Sequence, residues 1–176
     1  MELAYQTALT IESVIKDIDS KKYLLPSIQR EFVWSTGQIE KLFDSLMRDY
    51  PINAFLFWKV PREKVSEFKF YEFLRDYHQK DNKHNPKANT NGTEDIIAIL
   101  DGQQRMTSLY IALKGTYAYK TSYKRWDNPA AYPKRKLYLN LLAASDDADM
   151  FYDFLFLTEE EAKNIKNAAE EINKKN

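Results

Sequence analysis

Ile96-Ile97-Ala98-Ile99-Leu100-Asp101-Gly102-Gln103-Gln104-Arg105-Met106-Thr107-Ser108-Leu109 is the stretch on which the fold turns. Its first five residues are apolar and rich in isoleucine, the composition of a buried strand. The strand stops at Asp101-Gly102, and an amphipathic helix begins at once, with Met106, Leu109, Tyr110 and Leu113 on one face. A carboxylate, two amides and a guanidinium therefore fall within five residues, where strand becomes helix. The first turn of a helix carries unpaired N–H groups and a partial positive charge, and a glycine lets the main chain approach a ligand. An arginine here can fork onto a phosphate, an amide can orient it or a water, and an aspartate can hold a metal ion or a proton. The combination suits an anionic ligand. It is also what a solvated Asp-Gly turn leading into a helix looks like.

Outward from this corner, strands and helices alternate, which predicts a mixed α/β fold. Thr10 can cap a helix whose apolar face is Ile11, Val14, Ile15 and Ile18. Tyr23-Leu24-Leu25 reads as a brief strand ending at Pro26. Ser35 and Gln38 have capping-box spacing, and Ile39, Leu42, Phe43, Leu46 and Met47 then recur at helical period until Pro51. Ala54 to Val60 reads as a strand covered on both faces. Residues 66–77 fit either period, and 78–95 form a long polar loop. Leu137–Leu142 and Phe151–Leu157 read as strands, and 159–176 as a charged helix. This organisation predicts one domain over 1–145 carrying the Asp-Gly-Gln-Gln-Arg corner, and the start of a following helical region over 146–176.

With 176 residues, 44% hydrophobic and 14% aromatic, the chain can bury the core of one ordinary domain. The absence of cysteine excludes disulfides, thiolate zinc sites and a cysteine nucleophile. The N-terminus lacks the pattern of a secretion signal, and the longest apolar run, Ala54 to Trp58, is far below the about 20 residues that cross a bilayer. A cytoplasmic protein with no membrane partner is the expectation. His78 and His84, the two histidines, read as surface residues rather than metal ligands. Net charge is zero but unevenly spread. Residues 114–136 hold seven basic side chains against Asp127 alone, interleaved with Tyr117, Tyr119, Tyr123, Trp126 and Tyr132. Cations mixed with aromatics can bind phosphates and stack on bases, which makes Lys120, Lys124, Arg125, Lys134 and Arg135 candidate DNA contacts. The competing use is structural, with the rings buried and the lysines snorkelling.

A second amide–guanidinium pair, Gln29-Arg30, follows the first strand. Two such clusters at strand ends can converge on one cleft, the usual ligand position in α/β folds. Taken in order, Leu25-Pro26-Ser27-Ile28-Gln29-Arg30-Glu31-Phe32-Val33-Trp34, Gln38-Ile39-Glu40-Lys41-Leu42-Phe43-Asp44-Ser45-Leu46, Tyr50-Pro51-Ile52, Phe57-Trp58 and Leu100-Asp101-Gly102-Gln103-Gln104-Arg105-Met106-Thr107-Ser108-Leu109 resemble the N-terminal domain of the GmrS/GmrD-type family of modification-dependent restriction and phage-defence proteins.

The resemblance covers about Thr10 to Leu141 and implies a ParB/sulfiredoxin-like fold, a small mixed sheet with flanking helices. It further implies binding and hydrolysis of a nucleoside triphosphate, GTP or another, with Mg²⁺. That chemistry would be coupled to DNA cleavage by a separate nuclease region, further along the chain or in a partner. By position, the resemblance implies catalytic roles for Asp101, Gln103, Gln104 and Arg105. It implies nucleotide contacts from Gln29, Arg30, Gly102, Arg105 and Thr107, and a metal ligand in Asp101. In this scheme the two arginines neutralise phosphates and either glutamine orients the attacking water. The alternative is a non-catalytic ParB-like module that binds nucleotide or DNA. DNA cutting by this domain ranks below both, since no acidic nuclease cluster is visible.

Overall fold

The computed structural model describes residues 8–28, 31–91 and 95–175, with side chains described through residue 168. In chain order the elements are α1 (Ile11–Asp19), β1 (Tyr23–Pro26), α2 (Thr36–Met47), β2 (Leu56–Val60), α3 (Arg62–Val65), β3 (Phe70–Tyr71), β4 (Asp76–His78), β5 (Ile96–Asp101), α4 (Gln103–Lys114), β6 (Thr116–Ala118), β7 (Lys134–Ala144), β8 (Tyr152–Leu157) and α5 (Glu159–Lys175). A 3₁₀ turn, Pro129–Ala131, precedes β7. The class is α/β, with two mixed sheets instead of the single one expected.

The chain forms two compact units that interleave in sequence. Unit 1 takes residues 1–29, 55–73 and 85–103, and unit 2 takes 30–54, 74–84 and 104–176. Strands β7 and β8, on either side of residue 145, pair with each other. Leu139 faces Phe154 across that pair, and Leu137 faces Phe156.

In unit 1 the strand order is β2-β5-β1-β3, with β1 parallel to β5 and the outer strands antiparallel to their neighbours. β5 is central, as its run of isoleucines requires. β2 differs from expectation: it is an edge strand, and Leu56 is 46% exposed. Its apolar run reflects one buried face, an aromatic cluster and an open edge, not cover on both sides. Leu24, Val60, Val65, Phe70, Ala88, Ile96 and Ala98 make the core, with Trp58 packed against it. Thr10 caps α1 as its position predicts, accepting the N–H of Ser13 at 3.2 Å, and Val14, Ile15 and Ile18 are buried.

In unit 2 the order is β4-β6-β7-β8, with β4 parallel to β6 and the remaining pairs antiparallel. The Ser35–Gln38 capping box opens α2. Helix α4 is not the amphipathic helix its spacing suggests. Every residue from Met106 to Ile111 is buried, whereas Leu113 is 49% exposed. The helix is covered on more than one side, so its apolar stripe understates its burial. It ends at Gly115, where an added Cβ would overlap the carbonyl oxygen of Arg75. Arg75 also donates from Nε to the Lys114 carbonyl at 3.0 Å, drawing the two segments together.

The expected loop over 78–95 is tied down at two points. His78 bridges to Asn82, and Tyr71 to Lys87. His78 is less free than a surface residue. Its Nδ1 accepts the N–H groups of Asp81 (3.1 Å) and Lys80 (3.3 Å), and its ring lies 4.9 Å from that of Tyr132.

Candidate functional site

The corner that opens the sequence reading forms as a strand, a left-handed glycine and a helix start. Gly102 has φ 85°, a conformation that disfavours any side chain and lets β5 turn directly into α4. Asp101, the last residue of β5, is exposed. The Gln103 side chain folds back on its own strand, its Nε2 donating to the Ile99 carbonyl at 2.9 Å and, more distantly, to that of Leu100 at 3.5 Å. These three residues belong to unit 1.

The remainder of the motif belongs to unit 2, where its polar groups grip main chain. Gln104 does so with both ends of its amide. Its Oε1 accepts the Val33 N–H at 3.1 Å while its Nε2 donates to the Glu31 carbonyl at 2.9 Å. That is the pairing a neighbouring strand would make, supplied by one side chain. Arg105 donates from Nη1 to the Ile52 carbonyl and from Nη2 to the Ala54 carbonyl, the latter at 3.0 Å. A planar guanidinium suits this, since its donors lie in a fixed fork. Thr107 sits within α4 at 3% exposure. Gln29 and Arg30, the expected companions, lie outside the described residues.

Magnesium is ordinarily held by one or two carboxylates together with substrate phosphates. Among the described residues, no group of three His, Cys, Asp or Glu could hold a metal ion. The motif's carboxylate, Asp101, is exposed at the end of β5 and could offer such an ion one ligand.

The basic-aromatic segment divides between core and surface. Tyr117 (6% exposed) and Tyr132 (5%) are buried, with the Tyr117 ring 4.4 Å from Tyr77 and its hydroxyl donating to the Trp34 carbonyl at 2.9 Å. Burial, with Tyr77 adding, pushes the Tyr117 phenol far above its ordinary value. Tyr123 and Trp126 are exposed, Tyr123 at a left-handed φ of 63°. Arg135 is buried, its guanidinium 3.9 Å from the Tyr119 ring centroid and donating to the Tyr119 and Pro133 carbonyls. Lys120 and Lys124 donate to loop carbonyls of Lys124 (2.9 Å) and Ala130 (3.1 Å), and Arg125 pairs in the open with Asp127. Lys134 is exposed at the start of β7.

Two carboxylates that the sequence reading passed over organise the seam between α2 and β8. Asp44, 3% exposed, accepts the N–H groups of Tyr152 (2.8 Å) and Phe151 (2.9 Å) and an Arg48 Nη1 at 3.2 Å. Burial pushes its carboxyl up, but the two N–H groups and then Arg48 outweigh that and leave it below its ordinary value. One turn earlier, Glu40 accepts the Phe156 N–H at 2.8 Å. Burial raises its carboxyl, and that single bond does not offset the effect. An aspartate on the buried face of an otherwise apolar helix stripe was the available signal.

The family profile described as "GmrSD restriction endonuclease, N-terminal domain" matches residues 11–176. An uncharacterized protein of Methanocaldococcus jannaschii is 34% identical over 113 residues, 64% of this chain and 18% of that protein. The match thus spans less than a fifth of that relative's length. No helix among the described residues is long and apolar enough to cross a membrane.

Proposed function

We propose a function from one premise: the chain belongs to the GmrSD restriction endonuclease N-terminal domain family and is a restriction-system domain. On our reading it binds and hydrolyses a nucleoside triphosphate and couples nucleotide state to DNA cleavage by a separate nuclease region, working in the cytoplasm. The observation that carries this is the Asp101–Arg105 corner, where an exposed carboxylate, a left-handed glycine and a helix start follow one another. Helix N–H groups at such a start favour a phosphate. Asp101 would hold Mg²⁺ beside the phosphates, and the bound ion would offset charge on the transferring group. Arg105, with Arg30, would supply further positive charge.

The geometry favours Gln103 over Gln104 for orienting water. Gln104 has both ends of its amide committed to main chain, whereas Gln103 uses its Nε2 for the Ile99 carbonyl and carries an Oε1 that can accept from water. Gln104 and Arg105 then shape the site by holding the segments at 31–33 and 52–54. Thr107 and Arg135, both buried, support from within, so the DNA-facing set narrows to Lys120, Lys124, Arg125 and Lys134.

Asp101→Ala is expected to abolish Mg²⁺-dependent phosphate release with the fold intact, since the residue is exposed at the end of β5. Unaltered turnover in that variant would remove the assignment. A melting-temperature screen against the common nucleoside triphosphates, with and without Mg²⁺, identifies the ligand, since a ligand well above its dissociation constant stabilises by mass action.

A further inference from the structure

Unit 1 contains a cleft that this function does not use. It lies between residues 66–70 and 87–91 and has a volume of about 490 Å³. Its two walls are fastened to each other, with the Ala88 N–H donating to the Phe70 carbonyl at 2.9 Å and the Glu72 N–H to the Pro86 carbonyl at 2.8 Å. Buried Phe70 and Ala88 form the floor. Lys69 stands on one wall and Lys87 on the other, and among the described residues no carboxylate lines the space. Neither lysine is paired with a carboxylate among the described residues.

Above the floor, Phe68 is 43% exposed and held edge-on to Trp58, ring centroids 4.9 Å apart at 83°. An apolar ring kept half in solvent on a fixed aromatic support is a stacking platform. Asn89 and Asn91 complete the rim, the Asn89 side chain accepting the Asn91 N–H at 3.1 Å.

We propose that this cleft binds a nucleotide unit of a single-stranded nucleic acid, with Lys69 and Lys87 on its phosphates and a base stacked on Phe68. Two cations with a sequence-tolerant aromatic platform are the recurring means of holding such strands. A site for a free small molecule encloses most of its ligand. Here Lys69, Lys87, Asn89 and Asn91 are all exposed, which suits a chain that enters and leaves. The cleft is separate in sequence from both the Asp101–Arg105 corner and the basic segment at 114–136, so it stands or falls independently of the nucleotide-hydrolysis reading.

The test is fluorescence anisotropy of a labelled oligothymidylate with the full 176-residue chain at low salt. The wild type is expected to bind, and Lys69→Gln/Lys87→Gln to weaken binding at least tenfold. The double variant should also make the logarithmic salt dependence shallower, by about 0.7 per lost phosphate contact. Phe68→Ser is expected to weaken binding about tenfold; should it unfold through loss of the Trp58 contact, the lysine variant alone decides. Lys69→Arg/Lys87→Arg should retain binding. No binding by the wild type, or undiminished binding by the lysine variant with loss on changing Lys124, Arg125 and Lys134 instead, overturns the proposal. Displacement of the strand by equimolar free nucleoside triphosphate, with the same losses in the variants, would overturn it in favour of a mononucleotide site.

Discussion

Two places in unit 2 tie main chain with polar side chains, the Gln104–Arg105 corner and the α2–β8 seam, and they differ in charge and solvent access. At the corner a neutral amide donates and accepts at once, and a cation caps two carbonyls, with both side chains half-buried. At the seam, carboxylates that only accept take main-chain N–H groups, and Asp44 does so almost out of water. The net worth of a hydrogen bond depends on what its partners would otherwise meet, and a buried group left unmatched costs far more than an exposed one. The seam should therefore govern stability, while the corner can be adjusted for function at modest cost.

Asp44→Ala is the strongest attempt to break that contrast. It strands two N–H groups and Arg48, and a loss of about 2–4 kcal/mol is expected. Urea denaturation measures it, and a loss no greater than that of the corner variant would erase the distinction. Gln104→Ala removes a donor and an acceptor from a half-buried site, with an expected loss of about 1–2 kcal/mol. If the chain hydrolyses nucleotide as proposed, the rate should fall with that local loosening, so a rate loss with full stability would point to a direct chemical role instead.

Acidification sharpens the comparison through the two carboxylates of the seam. Asp44 has a folded pKa below its ordinary value, so in that window the unfolded chain binds more protons and stability rises with pH. Its contribution is complete above the ordinary aspartate value of about 4 and is lost as pH falls through the lowered one. The urea midpoint should fall on acidification in that range, and Asp44→Asn should remove much of the dependence. Glu40 carries the opposite sign: its raised value means that the folded state loses stability as pH rises from the ordinary value through the raised one. Glu40→Gln keeps an oxygen for the Phe156 N–H and deletes the charge. It should be neutral or slightly stabilising at pH 7, with the difference shrinking below about pH 4.

Much of the local structure could be read directly. Thr10 and the Ser35–Gln38 pair cap the helices expected of them, and Asp101-Gly102 turns a strand into a helix. Residues 66–77 resisted a single period for a physical reason. They contain two very short strands, β3 and β4, that join different sheets. β2 misled because an apolar run reports hydrophobicity and not whether a second neighbour arrives to cover it. Helix α4 misled in the other direction, since Thr107 and Ser108 look polar and are buried. At the candidate site, the turn and the residue types were legible, but the targets of Gln104 and Arg105 were not.

The order of motifs, the element boundaries and the membership of a restriction family follow from residues that act on neighbours a few positions away, so they survive in a one-dimensional reading. Which polar side chains face outward does not survive. Gln104 meets Glu31 across 73 residues, and Glu40 meets Phe156 across 116. Such partners arise only when packing brings unpaired main-chain groups beside a side chain able to match them. The same motif can therefore serve as ligand contact or internal brace, and folding assigns the part.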